Sequence, residues 1–142
     1  MASRLVFVDT AAWVARFDKR DHYHEAATGT FAALSEAGRL FITTDFVMDE
    51  TVTHLRKAAS LRAALIAWTA LEEAGLAQLV KVELLHRNEG RKLMEKFGNL
   101  VLSMTDCTSF AIMRELGISE ALTFDDDFTK AGFIRLPRRK RG

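Results

Sequence analysis

The chain of 142 residues has little of several residue types that would otherwise define its class. One cysteine cannot form an internal disulfide, so a reducing compartment such as the cytoplasm is expected. One proline and eight glycines fit neither a collagen-like nor a low-complexity composition. No apolar run approaches the roughly 20 residues that span a membrane, and the first residues do not predict a signal peptide. The remaining class is a globular domain, 49% hydrophobic and long enough for a sizeable core.

The charge is nearly balanced in total but unevenly distributed. The 20 bases and 19 acids give a net charge of +1. Residues 135–142 hold five of the bases and no acid, which leaves 15 bases and 19 acids in the rest of the chain. A basic segment after an acidic body indicates a polyanionic partner. The bases that follow the single proline are Arg138, Arg139, Lys140 and Arg141.

Strand-like and helix-like segments alternate along the chain. Residues 5–8 are apolar and rich in valine, which predicts a strand buried on both faces. Further strands are predicted at 40–42, 79–84, 121–124 and 133–136. Helices are predicted at 11–17, 22–37, from a cap at 43–45 to 58, 61–74, 87–97 and 103–116, with a short helical turn at 128–131. This order predicts an α/β three-layer sandwich with a mostly parallel central sheet, as one domain over residues 1–136 and a basic tail over 137–142.

Four acids follow predicted strands or open the helices after them. Asp9 ends the first strand, Asp125 ends the fourth, Asp106 lies in the first turn of a helix and Glu50 in the second turn of another. In open α/β sheets the ligands bind beyond the carboxyl ends of the strands. The topology therefore predicts that acids from distant parts of the chain meet at one edge of the sheet.

Each acid also has a purely structural interpretation. Asp9 could be the N-cap of a helix, and Asp106 could simply interact favourably with the dipole at a helix N-terminus. Glu50 could face solvent, and residues 125–127 could be an ordinary Asp-rich loop. Asp106 is aligned with the apolar Phe110, which favours an inward position.

A cluster of ionised carboxylates needs either protons or a cation. Two of them at 4 Å repel by roughly 4 kcal/mol at an effective dielectric constant near 20. An all-oxygen donor set without Cys or His favours Mg²⁺ or Mn²⁺. One or two such ions can activate water and stabilise a leaving oxygen. The acids therefore suggest metal-assisted phosphoryl chemistry.

In five successive segments the chain resembles the PIN-domain ribonucleases and, within them, the VapC-like toxins of prokaryotic toxin–antitoxin pairs. The resemblance covers residues 4–136. The segments are 7–13 (FVDTAAW), 21–27 (DHYHEAA), 44–51 (TDFVMDET), 102–111 (LSMTDCTSFA) and 122–128 (LTFDDDF).

The resemblance implies a sandwich around a parallel sheet and Mg²⁺- or Mn²⁺-dependent cleavage of single-stranded or structured RNA. Its acidic quartet maps onto Asp9, Glu50, Asp106 and Asp125, with Asp127 as a further metal ligand or as the alternative fourth acid. Hydroxyl groups that support such a metal shell map onto Thr10, Thr105 and Thr123. The tail bases, together with Arg16, Lys19 and Arg20, would then contact RNA phosphates and make the affinity sensitive to salt.

The resemblance also implies partners. Such toxins dimerise and are inhibited by a small antitoxin, and the apolar helices over residues 61–76 would supply a dimer surface. Two other functions stay open, namely a catalytically silent PIN-like scaffold that binds protein or RNA, and another Mg²⁺-dependent phosphoryl-transfer α/β enzyme. A haloacid-dehalogenase-like phosphatase is disfavoured because Ala11 stands where its second acid is needed. For His22, Tyr23 and His24 a structural role is favoured over contact with RNA.

Overall fold

The computed structural model describes residues 3–138, and within them it contains five strands and seven helices. The strands are β1 (Leu5–Val8), β2 (Leu40–Thr44), β3 (Gln78–Val80), β4 (Glu120–Leu122) and β5 (Ile134–Leu136). The helices are α1 (Thr10–Phe17), α2 (His24–Glu36), α3 (Asp45–Ala58), α4 (Leu61–Glu72), α5 (Leu84–Lys96), α6 (Met104–Glu115) and α7 (Asp127–Lys130). In this part of the chain no helix is both long and apolar enough to cross a membrane.

The five strands form one parallel sheet in the order β3-β2-β1-β4-β5, which confirms the predicted α/β class. After β1 the chain adds β2 and β3 on one side, and it then returns to add β4 and β5 on the other. Phe7 of β1 pairs with Ile42 of β2 and with Ala121 of β4. At such a reversal the loops after the two central strands diverge, which leaves a crevice at their carboxyl ends.

The helices cover both faces of the sheet. Right-handed crossovers place α1–α4 on one face and α5–α7 on the other, and in agreement α1 packs against α2 and α3 while α5 packs against α6. Because both faces are covered, Val6, Phe7 and Val8 of β1 are completely buried. The strand that carries the first candidate acid is therefore anchored in the core on both sides.

The predicted strand over residues 79–84 is wrong in its second half. The strand ends at Val80, and Leu84 already begins α5, three residues before the predicted helix. The backbone N–H of Val82 donates to Oδ1 of Asp45 at 2.8 Å, outside the sheet. The Glu83 N–H donates to Nδ1 of His86, which caps the new helix. The N–H groups of Val82 and Glu83, which a longer strand would have used for pairing, are thus bonded to the side chains of Asp45 and His86.

Arg135 does not belong to the tail with which the charge count grouped it. It lies in β5, where its Nη1 donates to Oδ1 of Asp126 at 2.8 Å. Arg138 is exposed at the end of the described residues. The predicted phosphate contacts of Arg139, Lys140 and Arg141 concern residues outside the described range.

The close approach of α5 to α6 depends on Gly90. A Cβ added there would lie 3.2 Å from the carbonyl carbon of Cys107 and 3.2 Å from the backbone nitrogen of Thr108. Gly90→Ala should lower the free energy of unfolding by about 1–2 kcal/mol, because overpacking against a helix backbone outweighs the gain in helix propensity. Chemical denaturation measures the change.

Gly29 is the matched control, since it lies within α2 and a Cβ there would have no atom within 4 Å. Gly29→Ala should raise the free energy of unfolding by roughly 0.5–1 kcal/mol through helix propensity alone. Equal stabilisation by both substitutions would contradict the tight α5–α6 contact.

Candidate functional site

A cleft of about 620 Å³ lies at the crevice between the ends of β1 and β4. It brings together side chains from widely separated segments of the chain. The lining residues are Asp9, Thr10, Ala11, Val14, Asp21, Tyr23, Glu50, His54, Ser103, Asp106, Phe124 and Asp125. The four acids of the predicted quartet therefore share one cleft, together with a fifth acid, Asp21.

Asp9 occupies the N-cap position of α1, but its side chain does not cap the helix. Its backbone N–H donates to the Leu122 carbonyl oxygen at 3.1 Å, which extends the β1–β4 pairing by one residue. Its Oδ2 accepts a hydrogen bond of 3.0 Å from the hydroxyl group of Thr123. The Asp9 carboxylate therefore lies where β1 and β4 end side by side, as its position after the first strand predicted. Thr123, one of the threonines expected to support the metal ligands, is its hydroxyl partner.

Burial raises the pKa of Asp9, and the negative charges of Asp106 and Asp125 raise it further, to about 7. Hydrogen bonds from the Thr10 backbone and the Thr123 hydroxyl oppose this shift without cancelling it. Only 5% of the residue is exposed. At neutral pH this carboxyl group is therefore poised to exchange a proton for a cation.

Asp106 belongs to the capping box of a helix and also lines the cleft. Its backbone N–H donates to Oγ of Ser103, and its Oδ2 accepts from the Ser103 backbone N–H, both at 3.0 Å. This capping box opens α6 and fixes the orientation of the carboxylate. Burial, together with the charges of Asp125 and Glu50, raises its pKa, although the hydrogen bonds from Ser103 act against the shift.

Asp125 and Asp127 complete a compact acidic group with Asp106. One carboxylate oxygen from each of the three lies within 4.8 Å of the others. The Asp125 N–H donates to the Thr123 hydroxyl oxygen at 3.0 Å, and the Asp127 N–H donates to Oδ1 of Asp125 at 2.9 Å. Burial and the charge of Asp125 raise the pKa of Asp127. The loop after β4 and the first residue of α7 therefore present one carboxylate each, while Asp126 between them binds Arg135.

Glu50 reaches the cleft from α3 and contacts α1. The hydroxyl group of Thr10 donates to its Oε1 at 2.9 Å, so this threonine also contacts a quartet carboxylate. His54, four residues after Glu50 on the same helix, lines the same cleft. The two side chains share a helix face, because residues four positions apart in a helix lie one above the other.

Thr105 lies in a different setting from the other two predicted hydroxyl groups. It is buried in α6, where its carbonyl oxygen accepts hydrogen bonds from the hydroxyl groups of Thr108 and Ser109. Among the hydrogen bonds of the described residues, none joins its hydroxyl group to a site carboxylate. Of the cleft residues, Asp21, Tyr23, Ser103 and Phe124 had no site role in the sequence analysis.

The chemistry of this donor set fits a divalent cation. The ligands are carboxylate oxygens, and three of the carboxyl groups have pKa values raised by burial and by the charges of neighbouring carboxylates. A hard cation such as Mg²⁺ or Mn²⁺ would neutralise the repulsion without needing a Cys or His ligand.

Comparisons with known proteins agree with this geometry. Residues 6–134 match the PIN domain family. The 23S rRNA-specific endonuclease VapC20 of Mycobacterium tuberculosis is 30% identical over 132 residues, which cover 93% of this chain and 98% of that protein. The crystal structure of this VapC20, described as a Sarcin-Ricin loop cleaving toxin, superposes with a TM-score of 0.84 at 29% identity, covering 91% of this chain and 96% of the other.

A more distant structure shares only the fold. VapBC2 from Rickettsia felis, bound to a DNA fragment from the promoter, superposes with a TM-score of 0.68 at 12% identity. The match covers 92% of this chain and 96% of that one.

Proposed function

The chain belongs to the PIN-domain family, and from that premise we propose that it is a metal-dependent endoribonuclease. The observation that carries the proposal is the acidic cleft at the β1–β4 crevice. Asp106 and Asp125 line it together with a buried Asp9 whose pKa is about 7, and one carboxylate oxygen from each of Asp106, Asp125 and Asp127 lies within 4.8 Å of the others. Ionised carboxylates held this close repel one another, and a bound cation would remove that repulsion.

We assign the metal ligands to Asp9, Asp106 and Asp125, with Asp127 as a further ligand and Glu50 acting directly or through water. Mg²⁺ or Mn²⁺, as one or two ions, would activate water for attack on phosphorus and neutralise the charge that develops on the phosphate. The raised pKa values and the all-oxygen donor set support this assignment.

The protein's own contribution is to hold these carboxylates in fixed orientations. Thr123 donates to Asp9 and accepts from the Asp125 N–H, so one hydroxyl group couples two candidate ligands. Thr10 orients Glu50, and Ser103 orients Asp106. Such supporting hydrogen bonds fix ligand geometry and raise the affinity for metal. A phosphodiester entering the cleft would meet carboxylates already in position.

We propose ribosomal RNA as the substrate and a toxin of a toxin–antitoxin pair as the biological role. The name of the VapC20 relative, a 23S rRNA-specific endonuclease, supports both. With that substrate, the activity would be in the cytoplasm. The nuclease domain would span residues 1–136, and the basic tail 137–142 would contact RNA phosphates. A small antitoxin would inhibit the enzyme by placing a basic side chain over the acidic cleft.

Incubation of the purified protein with ribosomal RNA tests this function. We expect discrete cleavage sites with Mg²⁺ or Mn²⁺ and none after chelation with EDTA. Primer extension maps the sites. Binding of Mn²⁺ without cleavage of any RNA would favour another phosphoryl-transfer enzyme, and failure to bind metal would favour the silent scaffold.

We also propose that the protein forms a homodimer through α4. Four large apolar side chains on this helix are about half exposed, namely Leu61 (54%), Leu65 (53%), Ile66 (49%) and Trp68 (47%). An exposed apolar patch of this kind is typical of an interface. Leu65→Glu should raise the dimer dissociation constant by about a hundredfold or more, because it buries a charge without a partner. Sedimentation velocity measures the change.

Leu85 supplies a matched control, because it is 70% exposed and lies on α5, across the sheet from α4. Leu85→Glu should leave the oligomeric state unchanged. A monomeric wild-type chain at high protein concentration would refute the dimer.

A further inference from the structure

Two aromatic rings form a stacked pair at the acidic cleft. The ring centroids of Tyr23 and Phe124 are 4.4 Å apart, and the ring planes differ by 9°. Both side chains line the cleft that holds Asp9 and Asp106. Tyr23 is 42% exposed, whereas large aromatic side chains in the core such as Trp13 are completely buried. The pair therefore presents aromatic surface to solvent beside the carboxylates.

Phe124 is held firmly in the wall of the cleft. It lies between Thr123, whose hydroxyl group binds Asp9, and Asp125, whose N–H donates back to Thr123. On β5, the guanidinium carbon of Arg135 lies 5.9 Å from the centroid of the Phe124 ring, within range of a cation–π contact. The ring is thus fixed one residue away from a candidate metal ligand.

Tyr23 is held by the turn that precedes α2. Its backbone N–H donates to Oδ1 of Asp21 at 2.9 Å. Nδ1 of His24 donates to the Ala15 carbonyl oxygen at 2.7 Å, which ties the start of α2 to α1. The exposed ring of His22 stands at 79° to Tyr23, with 4.7 Å between centroids. These contacts keep the tyrosine ring in place without covering it.

We propose that Tyr23 and Phe124 form a stacking platform for an unpaired nucleobase next to the phosphate that is cleaved. The inference rests on the proposed ribonuclease function. Metal ions at the carboxylates would bind only the phosphate that is cleaved, so the neighbouring nucleotide needs a further source of affinity in a cleft lined by five acids. Stacking of bases on aromatic rings provides it, and it is the usual way in which single-stranded RNA is held.

The platform lies next to a candidate metal ligand, which determines where a stacked base would stand relative to the cleaved phosphate. Phe124 adjoins Asp125 in the chain, so a base on the Tyr23–Phe124 pair would place the next phosphate of the same strand towards the carboxylates. Tyr23 would then be a positioning residue that selects for an unstacked nucleotide. It acts on RNA binding and leaves the metal ligands untouched.

Steady-state kinetics on an RNA that the wild type cleaves tests the platform. Tyr23→Leu should raise KM about tenfold, with a smaller change in kcat. Tyr23→Phe and Tyr23→Trp keep a ring at this position and should stay within about twofold of the wild type. Mn²⁺ affinity by calorimetry should be unchanged in all three variants. The melting temperature should fall by a few degrees at most, and only in Tyr23→Leu, which loses the stack on Phe124, so a general loss of structure is excluded.

Salt dependence separates stacking from phosphate contacts. The ratio of KM between Tyr23→Leu and the wild type should be the same at low and at high salt, because stacking is not electrostatic. Deletion of residues 138–142 should instead reduce the slope of affinity against salt concentration. With 2-aminopurine placed at successive positions of the RNA, one position next to the cleavage site should be quenched on binding, and Tyr23→Leu should abolish the quenching.

The outcomes distinguish this inference from the function on which it rests. If the wild type cleaves RNA and Tyr23→Leu has the same KM, the platform is refuted and the ribonuclease stands. If Tyr23→Phe is as impaired as Tyr23→Leu, the hydroxyl group matters rather than the ring, which also refutes it. If the wild type neither binds nor cleaves RNA, both proposals fall.

Discussion

Asp9→Asn should reduce RNA cleavage by about a thousandfold while the protein remains folded. The amide keeps the shape of the carboxylate, and its oxygen can still accept the hydrogen bond from Thr123. It cannot supply the negative charge with which Asp9 is proposed to bind a divalent cation at the end of β1. Losing about 4 kcal/mol of metal-dependent stabilisation of the transition state corresponds to that factor. Cleavage rates under single-turnover conditions measure it.

Metal binding should fall together with activity. Calorimetry with Mn²⁺ should show binding to the wild type and a much weaker signal for Asp9→Asn. The melting temperature of the metal-free variant should be equal to that of the wild type or higher, since the substitution removes a buried charge that burial and Asp106 disfavour. Loss of activity is then attributable to the site and not to unfolding.

Asp49→Asn is the matched control for charge. Asp49 is an exposed aspartate of α3, next to Glu50 in the chain but outside the cleft lining. The same change of side chain there should leave cleavage and Mn²⁺ affinity within about twofold of the wild type, because an exposed charge contributes little. Equal cleavage by the wild type and Asp9→Asn would refute the assignment of this carboxylate.

The metal-free protein should lose stability as the pH rises from 5 to 8. Asp9 has an ordinary pKa of 3.8 and a folded-state pKa of about 7. Between these values the folded state binds more protons than the unfolded state, so the free energy of unfolding falls with increasing pH and levels off above pH 7. At 1.36 kcal/mol per pH unit, the loss over about two units is about 3 kcal/mol.

Neighbouring groups act in the same direction. The pKa values of Asp106 and Asp127 are also raised, so loss of their protons likewise lowers the stability of the folded state as the pH rises. The charges that face Asp9 are those of Asp106 and Asp125. Thermal unfolding in EDTA at a series of pH values should show a melting temperature lower by on the order of 10 °C at pH 8 than at pH 5.

Two controls identify the source of this slope. Asp9→Asn should flatten most of it, since the titrating group is gone. Saturating Mn²⁺ should stabilise the wild type more at pH 8 than at pH 5, because the cation competes with protons for the same carboxylates. A wild-type melting temperature that rises between pH 5 and pH 8 in EDTA would contradict the raised pKa of Asp9.

The central strands and their acids could be predicted because the signals are local. The run Leu5–Val8 can be buried on both faces only in the middle of a covered sheet, and Asp9 directly follows it. Likewise Thr123 and Asp125 follow the apolar end of β4. A parallel sheet then places both ends at the same edge.

What could not be predicted depends on contacts between distant side chains. The end of β3 is set by Asp45, which binds the Val82 N–H across 37 positions of sequence. The stacking of Tyr23 on Phe124 joins a turn before α2 to the loop after β4, and neither aromatic residue has a distinctive spacing. Arg135 looked like part of a basic tail, because its partner Asp126 is recognisable only once β5 lies beside β4.

The pairing of β1 with β4 is also a condition for the site to form. Phe7 and Ala121 are register partners although nearly the whole chain separates them, so their pairing closes a long loop and raises the contact order of the fold. Asp9 and Glu50 belong to the first half of the chain, but the cleft is complete only where β4 pairs with β1 and brings Asp125 beside them. Strand order thus makes the site depend on both halves of the domain, so loss of the β1–β4 pairing would remove the site together with the fold.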